Sequence, residues 1–328
     1  MLYAGTTSII SFKYSFLIDT VKKLKRRSIS ASDIYLYFYY EFINKFETSE
    51  TLRNEIAVVT EKVKPLSVHV PTHLKPNSDR DFGHYLAGLI DGDGHFSSKQ
   101  QLVIVFNLLD ASLAYYIKKR IGYGSVRKVK DKNAILLIIA AKKGLEIVLN
   151  LINNKLRTEN KFNQVKKNIL NHINYAEFSK TIDFKLNLSD DLKNYWLAGF
   201  TDADGSFQIK TINRNNKTEI RLNFQIDQKT KSTLTIIKEF LGGNIGYRKS
   251  QDTYYYGSTS FGSAKKVINY FDHFHLLSSK HVKYLKWRKA YIIIQNKDHL
   301  TKSGISKIVK LKLKMSLGHD NYKKCTAV

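Results

Sequence analysis

Across residues 220–227, IRLNFQID, apolar and polar positions alternate without a break, with Leu222, Phe224 and Ile226 on one face and Arg221, Asn223 and Gln225 on the other. A period of two predicts a half-buried β-strand. The residues before it, Asn213, Arg214, Asn215 and Asn216, suit a tight turn and predict a hairpin. An earlier segment repeats the design with a shorter turn around Lys99 and Gln100. Leu102, Ile104 and Phe106 follow on its buried face, and Val103 and Val105 make its open face less polar. Each hairpin is preceded by an apolar helical segment, YLAGLIDGDGHF at 85–96 and YWLAGFTDADGSF at 195–207. Leu86 aligns with Leu197 and Asp93 with Asp204, 111 residues later, so the chain carries a twofold internal repeat. Each copy reads as helix, strand, loop, strand, helix, glycine-containing turn, two more strands and two helices.

The helical segments carry small residues four apart, Gly88 and Gly92 in the first copy and Gly199 and Ala203 in the second. That spacing lets two helices approach to backbone contact, so the copies are expected to dock through these faces. Gly94 and Gly205 stand where each helix should stop, and a left-handed glycine cap is expected there. The acids before them are the unusual feature. Asp91, Asp93, Asp202 and Asp204 fall in the last helical turn, where the macrodipole disfavours negative charge. Docking would also bring Asp93 near Asp204. Such a pair calls for a counter-charge, and Mg²⁺ (or Mn²⁺) accepts a few carboxylates together with waters and substrate phosphate. Asp91 and Asp202 read instead as structural hydrogen-bonding groups.

Charge narrows the partner. The 328 residues hold 54 Lys plus Arg against 28 Asp plus Glu, a formal net charge of +26, which implies a polyanion. No apolar run is long enough to span a membrane, and the single cysteine, Cys325, excludes an internal disulfide. All three prolines, Pro65, Pro71 and Pro76, cluster in a stretch read as a linker. The expected organisation is therefore residues 1–78 as a helical N-terminal extension with linker, 79–180 and 181–298 as the two halves, and 299–328 as a loosely packed basic tail.

LAGLIDGDG and LAGFTDADG resemble the LAGLIDADG motif of homing endonucleases and intron maturases at eight and seven of nine positions. The resemblance covers roughly residues 80–298 and implies an α/β (α+β) fold: two pseudo-symmetric αββαββα halves whose motif helices form the central interface and whose sheets form a DNA-binding saddle. It implies that Asp93 with the Gly92 carbonyl, and Asp204 with the Ala203 carbonyl, bind metal. FQIDQKTK at 224–231 resembles the stretch carrying a water-organising glutamine, here Gln228, and LLSSKHVKYLKW at 276–287 the one carrying an active-site lysine, here Lys280. In the first half the same comparison sets Asp110 opposite Gln228, and Asn160 or Lys161 opposite Lys280.

The implied activity is metal-dependent hydrolysis of both strands of a long, non-palindromic DNA site by a monomer. Gln208, Lys210, Arg221, Asn223 and Gln225 are the candidates for DNA contact, since Arg pairs with guanine and Gln or Asn with adenine in the major groove. Family habit and the A/T-codon residue usage imply an intron gene in a mitochondrion or other organelle. The rivals are an RNA maturase acting on its own intron RNA and a non-catalytic DNA-binding protein on the same scaffold.

Overall fold

The computed structural model describes residues 65–325 except 215 and 216; the expected N-terminal helical extension, residues 1–64, and the tip of the second hairpin lie outside the described residues. The first motif lies on α1 (Asp79–Asp93). The Ser78 side chain caps it by accepting from the Asp81 N–H at 3.0 Å. Burial from Phe82 to Asp91 is almost continuous, as befits a helix covered on all sides. The chain continues through β1 (Gly94–Ser97), β2 (Gln101–Asn107), α2 (Ala111–Ile121), β3 (Ser125–Lys128), β4 (Ala134–Ile139), α3 (Lys142–Ile152), α4 (Glu159–Val165) and α5 (Ala176–Thr181). The second motif lies on α6 (Trp196–Asp204), followed by β5 (Gly205–Arg214), β6 (Lys217–Gln228), α7 (Ser232–Leu241), β7 (Asn244–Arg248), β8 (Thr253–Ser258), α8 (Phe261–His273), α9 (Lys280–Gln295) and α10 (Lys302–Cys325).

The repeat is thus realised as αββαββ twice, each copy closed by further helices. Each gives a four-stranded antiparallel sheet, ordered β1-β2-β4-β3 and β5-β6-β8-β7. Leu102, Ile104 and Phe106 in one, with Leu222, Phe224 and Ile226 in the other, point into a continuous apolar core that also holds both motif helices. The motif helices cross at the distance their small residues allow. A Cβ added at Gly88 would stand 1.9 Å from the Trp196 carbonyl oxygen, and one at Gly199 would stand 1.9 Å from that of Tyr85. Gly92 faces Ala203 in the same way, with a built Cβ 2.3 Å from the alanine methyl.

Four expectations need correcting. Gly94 (φ −78°) and Gly205 (φ −78°) are extended, not left-handed. Glycine is required there for space, because a Cβ would meet Ile90 Cα at 2.7 Å or Thr201 Cγ2 at 2.5 Å. The proline-rich stretch after Pro65 is no free linker. Gln295 exchanges hydrogen bonds with both backbone groups of Leu66, Arg288 donates to the Ser67 and His69 carbonyls, and Arg120 donates to Pro76 O. The tail is not loosely packed: Ile308 and Met315 of α10 are buried, and Lys312 donates to Thr211 on β5 at 2.9 Å. Finally, Asn223 and Gln225 on the polar face of β6 are buried rather than open, for the reason given below.

Candidate active site

Both motif helices end side by side, and each has two acids in its last turn with opposite duties. Asp91 and Asp202 turn inward. Asp91 accepts from the backbone N–H groups of Arg157 and Thr158, from the Thr158 hydroxyl at 2.5 Å and from the Trp196 indole at 2.8 Å. Asp202 accepts from the N–H groups of Leu277 and Ser278, from the Ser278 hydroxyl and from the Tyr85 phenol at 2.7 Å. Each carboxylate is thus held by backbone N–H groups of the segment leading into α4 or α9, whose nearby N-terminal end offsets the unfavourable end of its own helix. Desolvation still raises the Asp91 carboxyl to about 6 and raises Asp202. The structural reading of these two acids agrees with the geometry.

Asp93 and Asp204 turn toward the crossing. Asp204 Oδ2 lies 2.9 Å from where a Gly92 Cβ would be, so this carboxylate rests on the opposite motif. Asp93 reaches solvent, yet the protein packed round it desolvates its charge, and with Asp204 nearby its carboxyl is pushed up to about 6. Burial also raises Asp204, against the opposing effect of Gln228. Two acids held reluctantly ionised form a site short of positive charge.

Two lysines supply part of it. Lys280, first residue of α9, donates from Nζ to the Ala203 carbonyl at 2.6 Å and the Thr201 carbonyl at 3.1 Å. Lys161 donates to the Gly94 carbonyl at 2.6 Å. Both ammonium groups thus neutralise the C-terminal end of a motif helix. Desolvation lowers both lysines, while the nearby aspartates oppose the shift. The anchoring hydroxyls, Thr158 and Ser278, fix the correspondence between halves: Asn160 takes the chain position of Lys280, and Lys161, one residue on, supplies the charge. Asn160 itself only accepts from Gln164.

Gln228 donates to Asp204 Oδ2 at 2.6 Å, as expected of a residue in the site. Its expected counterpart, Asp110, is elsewhere: it accepts from the Ser279 N–H at 2.6 Å, capping the start of α9. Strand register explains the error. Gly94 pairs with Ile104 and Gly205 with Ile226, so Gln228 corresponds to Phe106, which is core. Asp93 therefore has no glutamine partner of this kind.

On the second sheet the polar candidates form a ladder. Asn223 donates to Gln208 and Gln225 at 3.3 and 3.2 Å, and Gln225 donates to Asp227, which pairs with Arg248 at 3.2 Å. These neighbours bury Asn223 and Gln225, and Asn223 Oδ1 is buried without a partner. Lys210 and Arg221 pair across the strands and remain exposed, Arg221 holding Glu219 at 2.5 Å. Sequence reasoning overlooked Arg157, whose guanidinium lies 5.2 Å from the Trp196 ring and donates to Asp191 O at 2.7 Å, bracing the first carboxylate anchor. It also overlooked Arg248 and Tyr255, stacked at 4.8 Å on the same face. Tyr255 is the middle residue of a run of three tyrosines, Tyr254, Tyr255 and Tyr256, of which Tyr256 points the other way into the core.

Two sheets joined by a glycine-lined helix crossing that carries one carboxylate from each repeat define a double-motif member of one class. The chain belongs to the LAGLIDADG endonuclease family, whose model matches residues 197–291. It is 63% identical over 321 residues to the cox1 intron-2 37.2 kDa protein of Schizosaccharomyces pombe, covering 94% of this chain and 95% of that one. It is 29% identical to the intron-encoded DNA endonuclease aI3 of Saccharomyces cerevisiae, across 71% of this chain and 68% of the relative. Its fold is similar to that of the meganuclease I-SmaMI bound to uncleavable DNA, with TM-score 0.56 and 24% identity over 70% of this chain and 97% of that one.

Proposed function

We propose that the chain is a divalent-metal-dependent endonuclease that cuts both strands of a long, asymmetric duplex site as a monomer. The observation that carries this reading is the pair Asp93 and Asp204, set at the helix crossing with raised carboxyl pKa and no acid of the pair used as a structural anchor. Among the described residues no cluster of three or more His, Cys, Asp or Glu could hold a metal alone. Two carboxylates fit Mg²⁺ or Mn²⁺ when waters and a DNA phosphate complete the shell. Asp93, Asp204 and the Gly92 carbonyl would hold the ion; the Ala203 carbonyl, already bonded to Lys280, would have to share it. When bound, the metal lowers the pKa of water and offsets charge on the leaving oxygen.

The protein's own groups do the rest. Lys280 and Lys161 place positive charge where a scissile phosphate would approach the carboxylates. Gln228 orients Asp204 and offers its carbonyl oxygen to a water. The exposed Lys210 and Arg221 present donors to DNA, and half-buried Gln208, backed by the buried Asn223 and Gln225, presents an amide suited to an adenine edge. The +26 charge supports a polyanionic substrate, and the cox1-intron name of the 63% identical relative supports a mitochondrial intron as the gene's place.

The test is to incubate the full chain and Mg²⁺ with the intronless host-gene junction and to map the ends. Paired cuts that disappear with EDTA support the reading. Intact DNA together with chain-dependent splicing of the intron RNA would replace it with the maturase reading.

A further inference from the structure

The two sheets differ most on the faces turned away from the core. In the first, the outward residues of the central strands are Val103 and Val105 on β2 and Leu136 and Ile138 on β4, and Val103 pairs with Ile138 and Val105 with Leu136. None of the four belongs to the core or packs against it, and Val105 is 45% exposed. Strand register maps them onto Gln225, Asp227, Tyr255 and Gly257 of the second sheet. A square of aliphatic side chains thus stands where the other half carries its amide and carboxylate ladder. The exposed face of an antiparallel sheet is ordinarily polar, and a contiguous apolar patch marks a contact surface.

The surroundings limit what can cover it. Arg127 pairs with Leu136 across the edge strand, and Lys128, Lys130 and Lys132 follow it, all exposed, with Asp131 the one acid among them. Exposed His95 pairs with Val103 on the other edge. An apolar centre within a cationic frame fits a polyanion that offers apolar groups at its middle. In the major groove of B-DNA that group is the thymine methyl. RNA does not fit: its deep, narrow A-form major groove is closed to side chains, and its uracil lacks the methyl. Val103 and Val105 stand about 7 Å apart along the strand, a span of about two base-pair steps. Val105 lies one residue beyond Ile104, the partner of Gly94, so the patch borders the helix end that carries Asp93.

Building on the endonuclease reading, we infer that Val103, Val105, Leu136 and Ile138 recognise thymine methyls, so that the centre-proximal part of the first half-site carries two to three adjacent T·A pairs. The corresponding part of the second half-site is read through polar groups.

The experiment selects duplexes from a randomised DNA library with the full chain in Ca²⁺, then remakes the winner with deoxyuridine replacing thymine one position at a time. Adjacent T·A pairs should be enriched in one half-site. Affinity there should fall about fourfold per methyl removed, the factor supplied by burying one CH₂-sized group. Deoxyuridine in the other half-site should have little effect. Val105→Gln, at an exposed position, removes the apolar contact and should weaken the discrimination at the base pair nearest Val105 while melting close to the wild type. Selection of a defined site without such a run, or indifference to deoxyuridine, overturns the inference and leaves the endonuclease reading standing. Selection of no sequence at all overturns both.

Discussion

Replacing Gly88 with alanine tests whether the helix crossing governs both stability and catalysis. A Cβ there would lie 1.9 Å from the Trp196 carbonyl oxygen and 2.8 Å from the Phe200 nitrogen, both backbone atoms that no rotamer change can move. Restoring contact at about 3.2 Å requires the helices to part by about 1.3 Å, a typical overpacking distortion. Alanine returns about 1 kcal/mol of helix propensity. Against this stands the loosening of a close-packed seam, an overpacking cost above the usual 1–3 kcal/mol range, so we expect net destabilisation of about 3 kcal/mol. Gly199→Ala should cost a similar amount, because its Cβ meets the Tyr85 carbonyl at the same 1.9 Å. One separation relieves both clashes, so the double variant should lose clearly less than the sum of the singles. Urea melts of the wild type and three variants measure this. Where a variant remains folded, strand cleavage should fall further than DNA affinity, since parting the helices moves Asp93 from Asp204 while each sheet keeps its own face. Additive costs, or a single variant within 0.5 kcal/mol of wild type, would refute the reasoning.

Asp93→Asn and Asp204→Asn are each expected to reduce double-strand cleavage by orders of magnitude while retaining site-specific binding, checked by gel assays on one labelled duplex. The raised Asp93 carboxyl makes a stability claim. Its folded pKa of about 6 exceeds the unfolded 3.8, so its favourable contribution is complete below about pH 4 and is lost as pH rises through 6. In EDTA, Asp93→Asn should therefore melt above the wild type at pH 7.5, by about 1 kcal/mol after discounting for exposure, and level with it near pH 4. Gln228→Leu should slow the cut served by Asp204 more than that served by Asp93, so nicked plasmid should accumulate; equal slowing of both strands would refute that asymmetry. The log–log plot of DNA affinity against salt should fall steeply, and a flat plot would contradict the phosphate-binding surface.

The helix crossing was legible because small-residue spacing and backbone approach are one requirement expressed twice, in Gly88 and Gly199. Gln228 and Lys280 were legible through resemblance alone. Setting Asp110 opposite Gln228 puts Phe106 opposite Phe224, whereas strand register puts Leu102 there and Phe106 opposite Gln228; a slip of four residues keeps every side chain on its face, so alternation does not reveal it. The packing of α10 was written in Ile305, Ile308, Leu311 and Met315 at helical spacing, but the lysines between them drew the reading toward a solvated tail. The burial of Asn223 and Gln225 comes from contacts with Gln208 and Asp227, on different strands or two residues away, which alternation cannot express.

The crossed anchors are built from unequal parts. Tyr85 and Trp196 hold equivalent places in the two repeats, each donating to the structural aspartate of the opposite half, one through a phenol at the tip of its ring and the other through an indole edge. The donors differ in reach and direction, so each cradle is cut for its own key. A duplicate of either half facing itself would bring the wrong donor to its buried carboxylate. The halves have thus become complementary pieces of one lock, and neither is a spare for the other.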